Sequence, residues 1–520
     1  MFATLLRKEL LTNLLTLRVA VALLFSVTLG PLATYVGGLE HSRRTDAYER
    51  EVQQIQADLD EATTYQQVRP DFVAPPEPLA VFAQGIDKAA GQRMYVNLWY
   101  LPAGAHGVGD AHNTLMKSFA PFDFTSVVFL LLSFLAVVLG FDGLCGERAS
   151  GTLRLVLANP VPRATVVLAK LVAGILTLCV PLALAYVVSL LILTANADVQ
   201  LTGQHGSRLA VYFLVSSLFL AQVFALSLLV SASVRLPAVS LVICLFAWLI
   251  GGVGYGNLLP ALVRYTADEP PHHVFVEQRR RENGLYSEQM SRWSADNPAP
   301  DEMYRHALWE RGNMRFGHPL NHAHHQKLFA YRIEQVLDLS RRVGALQRAN
   351  YAPLGDQARR VDRWAILSPF TAYRVLAKQV MRTTLDDKDV LRDAGHRYRD
   401  TYIGWLRGRN AFGDRRWYSD DPLHQEPLVP NPESLDPEML RSDSPYMLER
   451  LAWAQEQSRL ADADPARRLD LTDMPKFGER WQKTLPESLD AMAPGLAVLI
   501  LSLGLGFSAT VVVFARSDLV

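Results

Sequence analysis

The sequence predicts an α-helical polytopic membrane protein, with six transmembrane helices and a mainly helical extracytoplasmic domain. Three observations lead there. Long uncharged apolar runs sit near the N-terminus, in the middle and at the extreme C-terminus of the 520-residue chain, each close to the roughly 20 residues that a helix needs to cross about 30 Å of hydrocarbon. Charge-dense stretches of globular composition lie between them. Basic residues beside the short loops alternate consistently from one side to the other, which sets an orientation.

Taken in order, residues 1–16, MFATLLRKELLTNLLT, place Phe2, Leu5, Leu6, Leu10, Leu11, Leu14 and Leu15 at helical spacing around Arg7, Lys8 and Glu9. This is an amphipathic helix suited to lying in the membrane interface; a simple extension of the first span is the alternative. The first span covers 17–39, and no small-residue cleavage site clearly follows it, so it is expected to stay as a signal anchor. The second span covers 122–142, the third 169–194, the fourth 208–234, the fifth 236–259 and the sixth 491–515. Apart from Asp123 at the mouth of the second, the apolar runs within them carry no charge.

Arg7, Lys8 and Arg18 precede the first span, and Arg148, Arg154, Arg163 and Lys170 fall between the second and third. Arg235 separates the fourth and fifth, and Arg516 follows the sixth. The short loop 195–207 holds Asp198 and no Lys or Arg. Both termini are therefore expected in the cytoplasm, with the loop 143–168 and the tail 516–520, in a bacterial inner membrane. Segments 40–121 and 260–490 are then extracytoplasmic.

Residues 41–66 are strong helix formers that continue the first span outward until Pro70, Pro75, Pro76 and Pro78. Further helical stretches run from Leu328 to Ala349 and from Pro369 to Arg409, with a break near Leu385-Asp386-Asp387. Pro422, Pro427, Pro430, Pro432 and Pro437 then mark an irregular crossing. The only cysteines, Cys145, Cys179 and Cys244, lie in or beside apolar segments, which excludes a disulfide framework for the outer domain. Lys plus Arg equals Asp plus Glu, at 52 each, so net charge gives no support to a nucleic-acid partner.

The most informative stretch is Phe141 to Lys170, FDGLCGERASGTLRLVLANPVPRATVVLAK. A span end, a Gly-Glu-Arg turn and a short amphipathic helix lead through a Pro-x-Pro-Arg break into the next span. Leu153, Leu155, Val156 and Leu157 are expected to form an apolar patch, with Arg148 and Arg154 available to acidic groups on a partner. Such a helix, anchored at both ends by spans, can pass a partner's rigid-body movement to both of them.

Here the residues reach a family. The pattern Gly146-Glu147-Arg148, Gly151-Thr152-Leu153, Asn159-Pro160, Pro162-Arg163 and Lys170 resembles the coupling-helix region of ABC-2-type transporter permeases. Arg7-Lys8-Glu9-Leu10 in an interfacial helix and the six-span layout are similar to the same family. Trp364-Ala365-Ile366-Leu367-Ser368-Pro369, followed by a long helix, resembles a subgroup with a large insertion between the fifth and sixth spans. The resemblance implies a homodimer, or a pair with a related permease, docked on a cytoplasmic ATPase dimer that binds ATP and Mg. It implies coupling to that ATPase through Glu147, Arg148, Gly151, Thr152, Leu153, Arg154, Leu155, Pro160 and Arg163, with Glu147 fixing the turn. The alternative is a solvated loop with incidental helix.

The chain has no GxxxxGK[ST] phosphate loop, so it is expected to be non-catalytic and to hold no cofactor of its own. Gly252-Val253-Gly254-Tyr255-Gly256 and Gly504-Leu505-Gly506 lie in or beside spans and read as close helix packing. His318, His322, His324 and His325 form a weak metal candidate, against a polar surface loop. The spans lack paired Asp residues and HExxH, which argues against an intramembrane enzyme, and their uncharged interiors argue against proton coupling. Three functions follow: an ATP-driven exporter subunit; ATPase-driven transmission of motion to a periplasmic or cell-surface partner without cargo; or a membrane receptor with no ATPase.

Overall fold

The structure, a computed structural model, describes residues 2–86, 93–99, 122–158, 161–196, 198–266 and 271–516. Six of its helical stretches are long and apolar enough to cross a membrane: Leu17–Asp60, Phe124–Ala149, Arg163–Ala195, Gly203–Ser233, Pro237–Tyr265 and Leu485–Arg516.

Helix α1, Phe2–Leu14, ends in a turn at Thr16, and α2, Leu17–Asp60, then runs unbroken for 44 residues from the apolar span into polar sequence. Pro31 is the single proline inside it. The second span starts at Asp123, whose carboxylate caps α3, Phe124–Val127, by accepting the Ser126 amide at 2.8 Å, and also accepts the Gln84 amide at 3.0 Å. That explains the one charge at the mouth of an apolar run. A π-helical stretch, Val128–Leu132, leads into α4, Ser133–Gly140. Two short helices follow, α5, Cys145–Ala149, and α6, Thr152–Leu157. The third and fourth spans are α7, Arg163–Ala195, and α8, Gly203–Ser233. The fifth is α9, Pro237–Trp248, a second π-helical stretch, Leu249–Gly254, and α10, Tyr255–Tyr265.

A polar domain follows. Its frame is a hairpin of α11, His272–Asp296, against α12, Pro319–Ala365. Between them β3, Leu308–Glu310, pairs with β4, Asn313–Arg315, across Arg311 and Gly312, both at positive φ. Next come α13, Pro369–Val380, and α14, Leu385–Gly408, which starts on a capping box between Thr384 and Asp387. After an irregular stretch, α15, Pro445–Ala463, precedes the sixth span, α16, Leu485–Arg516. Residues 62–74 and 93–99 join this domain: β1, Phe72–Val73, pairs with β2, Arg93–Met94, and Tyr65, Val68 and Val96 share an apolar core with Phe329, Tyr402 and Trp417.

One helix of the long insertion belongs elsewhere. The chain turns at Met381–Thr384, and α13 packs into the span bundle against α8 and α16. Its Phe370, Tyr373, Leu376 and Val380 share the transmembrane core with Phe129, Phe219 and Met492. Tyr373 stacks on Phe219 at 4.5 Å, and its hydroxyl meets Ser216 at 3.0 Å and Tyr212 at 3.2 Å. The glycines of the fifth span make room for it: a Cβ on Gly251 would come within 3.0 Å of Phe370, and one on Gly256 within 3.1 Å of Thr371. Both π-helical stretches border this contact, since Phe129 and Phe370 each lie beside Gly252. At the same end, the buried Arg208 donates to the Val380 and Lys483 carbonyls at 2.8 and 2.7 Å and to Ser488 at 3.0 Å. Arg382 pairs with Glu77 at 2.8 Å. The polar domain is thus clamped to the span bundle by buried charges that are paired or hydrogen-bonded across the junction.

Candidate functional site

At the other end of the bundle the chain makes a compact knot. After α4, the amides of Leu144 and Cys145 both donate to the Ser231 hydroxyl of α8, at 3.0 and 3.1 Å, which fixes where α5 begins. Gly151 then turns the chain at φ +76°, a conformation that favours glycine because it has no Cβ. Thr152 starts α6 and closes the turn by donating its hydroxyl to the Glu147 carbonyl at 3.3 Å.

In α6 the expected apolar patch is divided. Leu153 is 1% exposed and packs with Leu144, Val166, Val167, Ala232 and Phe514. Leu155 is 72% exposed. Two residues along a helix are about 200° around its axis, so both cannot face the bundle. Val156 and Leu157 sit half-buried at the rim of the cluster, and Arg154 is exposed beside Leu155. The helix therefore presents a mixed outward surface, Arg154 and Leu155, on an inward apolar anchor. Arg148 lies half-buried on α5. Asn159 and Pro160 lie outside the described residues.

Charge fastens this hairpin to the first helix. The Lys170 ammonium, 5% exposed, contacts Glu9 at 2.9 Å and Glu147 at 3.0 Å. Lys8 contacts the same two carboxylates, each at 3.1 Å. Two cations and two anions thus close a four-membered cluster that joins α1, α5 and α7. Partial burial works against the charge on Lys8, but the Glu147 and Glu9 carboxylates outweigh it and hold the ammonium above the usual lysine range. The Glu147 carboxylate thus meets lysines of two other helices.

Two more contacts complete the knot. Arg163, at the start of α7, donates to the Phe514 and Ala515 carbonyls at 2.8 and 2.6 Å, capping the C-terminal end of α16 where the helix dipole favours a cation. Arg18, at the start of α2, pairs with Asp142 at 2.8 Å and donates to the Val138 carbonyl at 3.2 Å. A displacement of α6 would reach α4 and α7 through the backbone, α1 through the charge cluster and α16 through Arg163. The sequence placed Lys8, Glu9 and Lys170 in the right segments without pairing them, because 161 positions separate Glu9 from Lys170.

The four histidines do not converge. Pro319 opens α12, so His318 becomes its cap and accepts the Leu320 amide at 3.3 Å. His322 approaches Asp421 at 3.5 Å, and His325 meets the Asn321 carbonyl at 2.9 Å among Trp309, Phe329 and Tyr418. His324 lies against Trp293. Among the described residues no three metal-ligating side chains come together, so the proposed metal candidate is replaced by a cap and aromatic packing.

A family model described as ABC-2 family transporter protein matches residues 3–519. No curated protein matches the chain.

Proposed function

The chain belongs to the ABC-2 transporter family, and from that premise we propose that it is the permease subunit of an ATP-driven exporter in a bacterial inner membrane. A separate cytoplasmic ATPase dimer binds ATP and Mg and receives α6 in a surface cleft. Two permeases, identical or related, stand side by side on that dimer. ATP binding and hydrolysis move α6, and the movement tilts the second and third spans to open a path between the two protomers. In this arrangement the long insertion lies on the extracytoplasmic side.

The observation that carries this reading is the construction of α6. A free loop needs no inward anchor, yet Leu153 is buried among residues of α7, α8 and α16, while Leu155 and Arg154 face outward on the same two turns. An element built to be pushed needs both a contact face and a rigid mount. The Lys8–Glu9–Glu147–Lys170 cluster and the Arg163 cap supply the mount.

A second reading keeps the ATPase and omits the cargo: the spans pass motion to the polar domain, which acts on an extracytoplasmic partner. The unbroken 44 residues of α2 and the Arg382–Glu77 pair favour it, since both connect bundle and polar domain stiffly. Affinity purification from native membranes in mild detergent tests the shared premise. The protein should bring down an ATPase, and Leu155→Asp, at an exposed position, should lose it without loss of folding. Recovery of no ATPase, even after crosslinking, would refute the proposal and leave a receptor role. Transport into proteoliposomes separates the exporter from the motion-transmitting form.

A further inference from the structure

The polar domain contains a half-open cavity of about 350 Å³, within the range of small-molecule sites. One wall is a face of α12, where Phe329, Arg332, Ile333 and Val336 fall at helical spacing. The floor is Tyr402 and Trp417, both buried. The facing wall comes from residues 65–71 and 93–99. That wall is held in place: the buried Arg399 donates to the Asn97 and Leu98 carbonyls, each at 2.8 Å, and Asp71 accepts the Val96 amide at 2.8 Å. At the mouth Tyr95 and Trp99 remain 48% and 40% exposed.

The charges of the cavity are unevenly matched. Arg93 pairs with Glu51 Oε1 and with Asp71, each at 2.6 Å, while Glu51 Oε2 is left without a hydrogen-bond partner among the described residues. Arg332 lies over the Trp99 ring at 5.3 Å and donates Nε to the Tyr286 hydroxyl at 3.2 Å. Its terminal amino groups have no acceptor among the described residues, and the exposed Arg69 side chain has no partner among them either. Two guanidinium groups with spare donors thus border an aromatic and aliphatic interior. A guanidinium presents its donors as a fork that matches carboxylate and phosphate geometry.

We propose that this cavity binds small amphipathic organic anions, with the aromatic or acyl body against Phe329, Val336, Tyr402 and Trp417 and the anionic group between Arg69 and Arg332. The site is independent of ATPase coupling, so its test can fail without bearing on the permease reading.

Full-length protein in lipid nanodiscs would be titrated calorimetrically with 2-naphthoate and with decanoate, and the heats from empty nanodiscs subtracted. The neutral 2-naphthylmethanol and decanol serve as controls for partition into lipid. Saturable binding of at least one anion at one site per chain is expected, with its alcohol at least about tenfold weaker, the size of one charge-assisted hydrogen bond. Arg69→Gln and Arg332→Gln should each weaken the anion about tenfold without shifting the thermal unfolding midpoint. Arg69 is exposed, so its variant should fold even if the other does not. Absence of saturable binding for both anions would overturn the proposal. So would equal affinity for anion and alcohol, or full affinity in the Arg69→Gln variant.

Discussion

Removing the Lys170 ammonium should unfasten the knot at the α6 end of the bundle. In Lys170→Met, Glu9 and Glu147 lose contacts of 2.9 and 3.0 Å and keep only Lys8, whose side chain is 45% exposed. Breaking a buried ion pair from one side costs about 3–5 kcal/mol. The lower end applies here, because Lys8 still offsets part of the charge and Glu147 keeps some contact with solvent, so the expected loss is about 3 kcal/mol. Glu147→Gln alone should cost less, since Lys170 retains Glu9. The double variant leaves one carboxylate facing one lysine, and its loss should fall short of the sum of the singles by about 1.5 kcal/mol or more. Equilibrium unfolding in mixed micelles, titrated with dodecyl sulfate, reads all four corners of the cycle. Additivity within about 0.5 kcal/mol would show that the two side chains do not act as a pair, and the knot would lose its central element.

Gly174→Ala should destabilise the bundle by more than about 2 kcal/mol, because a Cβ there would come within 2.1 Å of the Phe224 ring between α7 and α8; unchanged thermal stability in nanodiscs would contradict that packing. Acid should weaken the polar domain through His325 and His396. Burial holds both imidazoles below the usual histidine range, partly opposed by the Asn321 carbonyl at His325, and at His396 reinforced by Arg348 and Arg392 and partly opposed by Asp393. Their folded-state pKa values lie below the unfolded value of about 6.5, so the unfolded chain binds more protons in acid. Their contribution is therefore complete above about pH 6.5 and is lost as pH falls through the lowered folded values. A plot of unfolding midpoint against pH should bend downward there, and less so in His325→Gln/His396→Gln.

The spans were legible because hydrocarbon demands long apolar runs, and six such runs stand out against charged sequence. Helix α13 was hidden by the same rule. Its 12 residues are too few to cross a bilayer, and Arg374 and Lys378 give it the look of a surface helix. Arg374 lies over the Phe129 ring and Lys378 pairs with Asp362, so neither charge prevents burial of the opposite face. Gly252 and Gly256 of the fifth span were read correctly as packing residues, but their partners Phe370 and Thr371 lie more than 100 positions away, and Gly254 meets the Leu249 carbonyl of its own span. At α6 the separation of Leu153 from Leu155 was available from helical geometry alone, once the helix was known to keep its period through so short a segment. The ion cluster was not: local pattern cannot pair Lys8 with Glu147 across 139 positions.

The most direct test places a photoreactive amino acid in α6 within intact membranes. At position 155, which is exposed, crosslinking to an ATPase subunit is expected, with a yield that changes when a non-hydrolysable ATP analogue is added. At position 153, which is buried against α7, α8 and α16, only crosslinks within the chain are expected. An ATPase adduct from 155 and none from 153 would place α6 in the docking surface by its outward face. Crosslinks from 155 to lipid alone, in membranes where the ATPase is present, would contradict coupling through this helix.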